Sequence, residues 1–426
     1  MVPHLGARHG RRVIRVPELR RAYSNLDHEE RLSLTAKLFC EGKSPSQIQK
    51  HLAERFEDEN IRREEPYRLL QLASALGYFH YRPPLEPMLA AGISQEWDLA
   101  EAHVVQTAML DHVASRAAAV LLDLIQQEWA AKQTDYIADQ ARPEAERDEE
   151  AGRVRVGLAG GRTVLGIVRA LVDLLKLADP DSIPPELVFH TACTGIDYSD
   201  PSTDPNAFIS HLLRVPGVDT RTSAVPYQAP PIMRPEVRAM LEAEPDMRKA
   251  ARSFKDVHIL VTAGSSWRIM EILGSGEIGP APDHERERER ERAPDRADTA
   301  PLSTDYSQLK TLMLDRDKRG YNDLIRAGTV GDMLWQPLTF RGPAEIETKV
   351  KVMTLAPLSS IPDFIEQGKK VLFALGPYDA GFDKGDVLLA ALGGGRVHGG
   401  YSAPPLFTHL VCDHRTARAV LKVARR

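Results

Sequence analysis

Apolar residues recur at helical spacing in three short runs near the start of the chain. Leu32, Leu34, Ala36, Leu38 and Phe39 predict a helix over Glu30 to Glu41 that Gly42 ends. Ile48, Leu52, Ala53 and Phe56 predict a second, opened by Ser44-Pro45-Ser46-Gln47. That opening supplies an N-cap hydroxyl, a proline at the first helical position and a glutamine at the capping-box position. After the polar break Glu57 to Asn60, a third stripe runs through Leu69, Leu70, Leu72, Ala73 and Leu76 to a stop at Gly77. Tyr78-Phe79-His80-Tyr81 then alternates like a short strand before Pro83-Pro84. Three helices and a strand are the parts of a winged helix-turn-helix, whose third helix enters a major groove. Its leading edge offers Arg62, Arg63, Tyr67 and Arg68. A helical cap or dimerisation module that touches no nucleic acid fits the same pattern.

The rhythm changes further along. Glu86 to Gln133 reads as mostly helical, with Ala117-Ala118-Ala119-Val120-Leu121-Leu122 as a small-residue core face, and Gln140 to Gly152 reads as a polar surface insertion. Beyond it, short β-branched runs alternate with helical ones. Strands are expected at Val154 to Leu158, Leu187 to Thr191, Val257 to Ala263, Val371 to Leu375 and His409 to Cys412. Helices are expected near 163–177, 205–213, 235–251, 305–327, 384–392 and 414–424. Such alternation predicts a parallel, Rossmann-like sheet covered on both faces, with ligands beyond the carboxyl ends of its strands. Those ends are Gly160 to Thr163, Cys193-Thr194-Gly195, Gly264-Ser265-Ser266 and Gly376. All are rich in small residues with accessible backbone donors, so they predict one site for an anionic small molecule.

The first of these ends carries the sharpest chemistry. In VRVGLAGGRT a strand runs into Gly160-Gly161 and straight on into an amphipathic helix. The glycines let the backbone approach an anion, the first N–H groups of the helix point outward, and the Thr163 hydroxyl adds a donor. A P-loop needs Lys before the Thr and Gly five residues before Gly161, where this chain has Arg162 and Val156. The glycines at 157, 160 and 161 do not make the dinucleotide fingerprint either. A tight strand-to-helix turn without a ligand remains the alternative.

Charge and composition narrow the reading only in part. A net charge of -5 over 426 residues argues against a globally basic nucleic-acid binder, though not against a local basic face. Arg8, Arg11, Arg12, Arg15, Arg20 and Arg21 against the single Glu18 in the first 21 residues mark 1–28 as a basic tail, either an arm on DNA or merely solvated. Pro280 to Pro301 encloses a strict Glu-Arg alternation from Glu285 to Arg292 that can pack neither as helix nor as strand, so a disordered insertion is expected over 280–301. There is no apolar run long enough to span a bilayer and no signal core, and Cys40, Cys193 and Cys412 are isolated, so a cytoplasmic protein with reduced thiols is expected. His409 and His414 flank a strand pattern that would point them to opposite faces, so no metal is expected there. No cofactor is implied, and HExxH, GxSxG and any paired nucleophile and base are absent.

The ordered set of motifs resembles the SorC-type transcription regulators, a branch of the DeoR-like sugar-responsive regulators. Gly42-Lys43-Ser44-Pro45-Ser46-Gln47-Ile48 resembles the family's turn into its second helix, and Tyr67 to Gly77 its recognition helix. Gly160-Gly161-Arg162-Thr163 resembles the first phosphate-contacting loop, and Gly328-Thr329-Val330-Gly331-Asp332 the GAVGD segment. Leu389 to Leu392 with Leu410 to Ala417 resembles the closing helix, strand and helix. The resemblance runs from about residue 30 onward, with insertions. It implies a winged helix-turn-helix over 29–84, a helical linker and insertion over 85–150, and an effector domain over 151–426 related to the sugar-phosphate isomerase and deaminase fold. It further implies a homo-oligomer, operator DNA and a phosphorylated sugar as partners, and no enzymatic activity. DNA contacts then fall to Lys43, Ser44, Ser46, Gln47, Arg62, Arg63, Tyr67 and Arg68. Effector contacts fall to Gly160, Gly161, Arg162, Thr163, Cys193, Thr194, Gly195, Gly264, Ser265, Asp332 and Lys384, the last as the candidate ligand-facing amine.

Departures keep two alternatives open. Arg63-Glu64-Glu65-Pro66 stands where the family usually has a Ser-Arg pair, placing carboxylates near a phosphate backbone and suggesting a regulator-derived protein that no longer binds DNA. Sugar-phosphate isomerases and deaminases have a phosphate loop similar to VGLAGGRT, so an enzyme of that type is the second alternative, although no group is placed for proton transfer.

Overall fold

The computed structural model describes residues 23–57, 61–75, 83–148, 150–193, 201–213, 222–227, 232–233, 235–266, 323–324, 326–344, 351–352, 354–377, 383–394 and 403–424. The expected wing at 78–81, the charged tract at 280–301, almost all of the helix expected near 305–327, and residues 1–22 of the basic tail lie outside these. The chain divides into two compact units at Arg82 and Pro83.

In the first unit, α1 (His28–Cys40) starts at Asp27, whose carboxylate accepts from the Glu30 N–H while Glu30 reaches back to the Asp27 N–H. The second helix, α2 (Pro45–Phe56), repeats the device with Ser44 and Gln47. It ends at Glu57, a non-glycine residue with φ of 52°. The third, α3 (Glu65–Ala75), starts one turn ahead of its apolar stripe, and Pro66 sits in that first turn, where a missing N–H costs nothing. Leu32 and Ala36 of α1 pack against Leu69 and Ala73 of α3, while Tyr23, Leu38, Ile48, Leu52 and Ile61 form a second cluster. Phe39, expected in the buried stripe, is instead 43% exposed.

The second unit holds α4 (Pro87–Trp97), β1 (Glu101–Val105), α5 (Leu110–Gln140), β2 (Arg153–Leu158), α6 (Arg162–Leu177), β3 (Glu186–Thr191), α7 (Pro205–Leu212), β4 (Thr222–Val225), β5 (Ile232–Met233), α8 (Pro235–Glu242), α9 (Pro245–Phe254) and β6 (Ile259–Ser266). After these come β7 (Thr329–Met333), β8 (Gln336–Thr339), β9 (Gly342–Pro343), β10 (Lys351–Val352), α10 (Ile361–Glu366), β11 (Lys370–Leu375), α11 (Gly385–Ala391), β12 (His409–Asp413) and α12 (His414–Ala424). The fold is α/β. The main sheet runs β1-β12-β11-β6-β2-β3-β4, and every neighbouring pair along that path is parallel. Burial is nearly continuous along β2, β3, β11 and β12, as it must be when helices cover both faces.

Three differences from the expected pattern have physical causes. Segment 85–150 is not only a helical linker: β1 pairs with β12 at the sheet edge and α5 packs along α6, so this stretch belongs to the α/β unit. The helix expected over 235–251 is two helices, because Pro245 cannot continue α8 and instead opens α9. Strand β6 outruns its expected end at Ala263, because β7 adds an antiparallel ladder to it, Gly264 opposite Met333 and Ser265 opposite Asp332. Among the described residues no helix is long and apolar enough to cross a membrane.

Candidate functional site

Strand order locates the site. From β2 the chain moves outward through β3 to β4, then crosses back to place β6 on the other side of β2 and continues through β11 to β12. The direction of winding therefore reverses between β2 and β6, the kind of switch point at which α/β sheets commonly bind ligands beyond their carboxyl ends. The Ala159 N–H donates to the Val261 carbonyl at 2.9 Å, tying the two strands together immediately before the glycine loop.

At that loop Gly161 has φ of 106° and ψ of 163°, a conformation open to glycine alone, and it serves as N-cap of α6. No side chain caps the helix there, and a Cβ built on Gly161 meets nothing within 4 Å, so the side-chain direction of the N-cap itself is open. The expectation that every donor of the loop is available needs correcting. The Gly161 N–H is given to the Thr203 carbonyl at 2.9 Å, and the Gly160 N–H to the Cys193 sulfur. What the loop still presents is the N-terminal end of α6, in whose first turn Arg162 is half-buried and Thr163 buried.

Cys193 is fully buried, and burial pushes its thiol up to about 12. Hydrogen bonds from the Gly160 N–H and the Trp335 indole pull the other way, while the carboxylates of Asp204 and Asp332 add to the rise. A sulfur in that setting is a packed acceptor and not a nucleophile. Asp204 caps α7, accepting from the Asn206 backbone at 2.7 Å and the Asn206 side chain at 2.9 Å, and burial raises its pKa. Ser265 donates to Asp332 at 2.7 Å across the β6–β7 ladder. The structure thus brings Gly160, Gly161, Cys193, Ser265 and Asp332 to one end of the sheet. Thr194 and Gly195 lie outside the described residues. Lys384 is buried, with Nζ donating to the Gly264 carbonyl at 3.0 Å, so its amine ties the start of α11 to β6. Gly264 is explained by packing, since a Cβ there would lie 2.8 Å from Val387.

Thr203, Asp204 and Trp335 were not foreseen. Asp204 followed by Pro205 carries a helix-start signature that was legible, whereas Trp335 reaches the site only through the β7–β8 hairpin, which no periodicity announces.

In the first unit, Arg62, Arg63, Tyr67 and Arg68 are exposed, the arginine pair in the turn before α3 and the others in its opening turns. Ser44 and Gln47 are occupied with each other in the capping box, Lys43 pairs with Glu41 at 3.1 Å, and Ser46 is exposed. Glu65, a suspected source of repulsion, accepts from the Tyr23 hydroxyl at 3.3 Å and lies 3.7 Å from Arg31. Burial, then the Glu65 carboxylate, pushes the Tyr23 hydroxyl up to about 12. Glu64 remains exposed.

No family model matches the chain, and no curated protein does. Solved structures of SorC- and DeoR-type regulators are similar to it. The full-length sorbitol operon regulator SorC of Klebsiella pneumoniae is 15% identical, covering 93% of this chain and 100% of its own, with a TM-score of 0.47. A DeoR family transcriptional regulator of Listeria monocytogenes is 15% identical over 78% of this chain and 98% of its own, at 0.45. A transcriptional regulator of Streptococcus pneumoniae is 14% identical over 79% and 96%, at 0.47.

Proposed function

We propose that this chain is a DNA-binding transcription regulator whose α/β unit takes a phosphorylated sugar or related metabolite as effector, acting as a homo-oligomer. The observation that carries the effector half is the winding reversal between β2 and β6, with Gly161, whose side-chain direction is open, as the N-cap of α6 beside it. A phosphate seated there meets the positive end of a sixteen-residue helix together with Arg162 and Thr163. Asp332 and Asp204, whose carboxylates lie close enough to Cys193 to raise its pKa, are the nearby acceptors that the ligand's hydroxyl groups would use.

The DNA half is supported by the exposed cluster Arg62, Arg63, Tyr67 and Arg68 at the start of α3, and by the inward turn of Glu65, which removes one of the two carboxylates that argued against DNA. Selection from a randomised duplex library, followed by gel-shift titration at two salt concentrations, tests it. Arg63→Ala and Arg68→Ala are expected to weaken the selected site by about 1–3 kcal/mol for a base contact, or to reduce the salt slope by about one for a phosphate contact. Selection of no duplex, or unchanged affinity and slope in both folded variants, overturns the DNA half and favours a regulator-derived protein without DNA binding.

A further inference from the structure

The hairpin that joins β7 to β8 turns through two residues, Leu334 and Trp335, between the paired Met333 and Gln336. Their φ angles are 55° and 64°, so both central positions are left-handed, the geometry of a type I′ turn that ordinarily takes Asn-Gly. Two bulky side chains in such a turn are strained, and strain of this kind persists only where the surroundings hold it in place. Leu334 is accounted for by packing, being 2% exposed within the main core. Trp335 packs against the same core but stays half-buried, so packing holds only part of its side chain.

What sets Trp335 apart is its position. Its indole donates to the Cys193 sulfur, and the same Nε1 would lie 3.3 Å from a Cβ on Gly160. The nitrogen end of the ring is therefore pinned at the glycine loop, one residue from Gly161, whose own side-chain direction is open, while the Trp335 side chain stays half-buried. A ligand whose phosphate sits on the first turn of α6 extends past this indole. Taking the site as the phosphate-binding one described above, we propose that Trp335 determines specificity there: its ring face stacks on the apolar face of a cyclic sugar, so the site selects ring-containing sugar phosphates over acyclic ones. A flat apolar surface with a few placed polar groups is the common build of a small-molecule site. The indole supplies that surface at little cost in side-chain freedom, because one end is already held.

The test uses the full chain and its variants Trp335→Gly and Trp335→Phe, titrated with inorganic phosphate, glycerol phosphate and a panel of pyranose and furanose phosphates. Glycine relieves the left-handed turn, so the variant is expected to fold, and its melting temperature is recorded as the control. Wild type is expected to prefer at least one cyclic sugar phosphate to glycerol phosphate by tenfold or more. Trp335→Gly is expected to lose that preference while binding inorganic phosphate as wild type does, and Trp335→Phe to keep most of it. The cyclic ligand is also expected to change the indole fluorescence of wild type and not of Trp335→Phe. An unchanged preference in Trp335→Gly, or an equal loss for every phosphate compound, overturns the specificity role and leaves the phosphate site standing. Failure of wild type to bind any phosphate compound overturns both together.

Discussion

Gly161→Ala isolates the backbone contribution to the site. The residue has φ of 106° and ψ of 163°, a region that only glycine populates readily, and its Cβ would touch nothing within 4 Å. The cost is therefore backbone strain without a clash, about 1–3 kcal/mol. Rotation of the loop to relieve it withdraws the Gly161 N–H from the Thr203 carbonyl, adding about 1 kcal/mol for the lost bond. The expected sum is about 2–4 kcal/mol off the stability of the α/β unit. The same rotation re-aims the first N–H groups of α6, so affinity for the sugar phosphate is expected to fall by tenfold or more. Gly328→Ala is the matched control: its φ is 79°, its Cβ also meets nothing within 4 Å, and it lies at the entry to β7. It is expected to lose stability by strain alone and to keep its affinity. Denaturant titration and calorimetric binding on both variants decide the matter. Wild-type affinity in Gly161→Ala, at a measured cost in stability, would show that the loop is a turn and not a cradle.

Other outcomes follow from single features. Ser44→Ala removes the cap of α2 and is expected to cost about 1 kcal/mol in the thermal unfolding of the first unit, with no effect on sugar-phosphate binding. Burial, and after it the Arg155 guanidinium for His190 and the Lys132 ammonium for His258, pulls both imidazoles down to about 4. Between that value and the ordinary 6.5 the unfolded chain binds more protons, so stability is complete above about pH 6.5 and is lost as pH falls toward 4. Fully buried His190, whose Nδ1 has no partner among the described residues, is expected to contribute up to about 1.4 kcal/mol per pH unit to that slope, and His190→Gln to flatten it in urea titrations between pH 7 and 4.5. At neutral pH a thiol reagent is expected to label exposed Cys40 quickly and buried Cys193 and Cys412 only after denaturation; fast native labelling of Cys193 would contradict its packed environment.

The parallel strands were legible because a strand buried on both faces needs an unbroken apolar run, and Val154 to Leu158 or Val371 to Leu375 has no other easy use. The helices that start at Pro205 and Pro235 and the capping box at Ser44 are local chemistry and could be read as such, whereas Asp27 and Pro245 carry the same signals under stripes that did not point to them. Strand β1 was not, since Glu101-Ala102-His103-Val104-Val105 is extended only because β12 offers it an edge. The same holds for the β7–β8 hairpin: Leu334-Trp335 violates the residue preference of its own turn, so tertiary packing alone could reveal it. At the site, the glycine loop was visible from spacing. The diversion of its donors to Thr203 and Cys193 depends on contacts across 33 and more residues, and no pattern along the chain records those.

Calorimetric titration of the full chain with a panel of sugar phosphates, each paired with the same sugar lacking its phosphate, tests the central claim most directly. At least one phosphorylated sugar is expected to bind, its unphosphorylated partner to bind at least tenfold more weakly, and Arg162→Ala to close part of that gap, since the proposed cradle would recognise the anion through a charged side chain and a helix terminus. Equal affinities for the paired compounds, or a gap that Gly161→Ala and Arg162→Ala both leave intact, would contradict a phosphate site at the junction of β2 and β6.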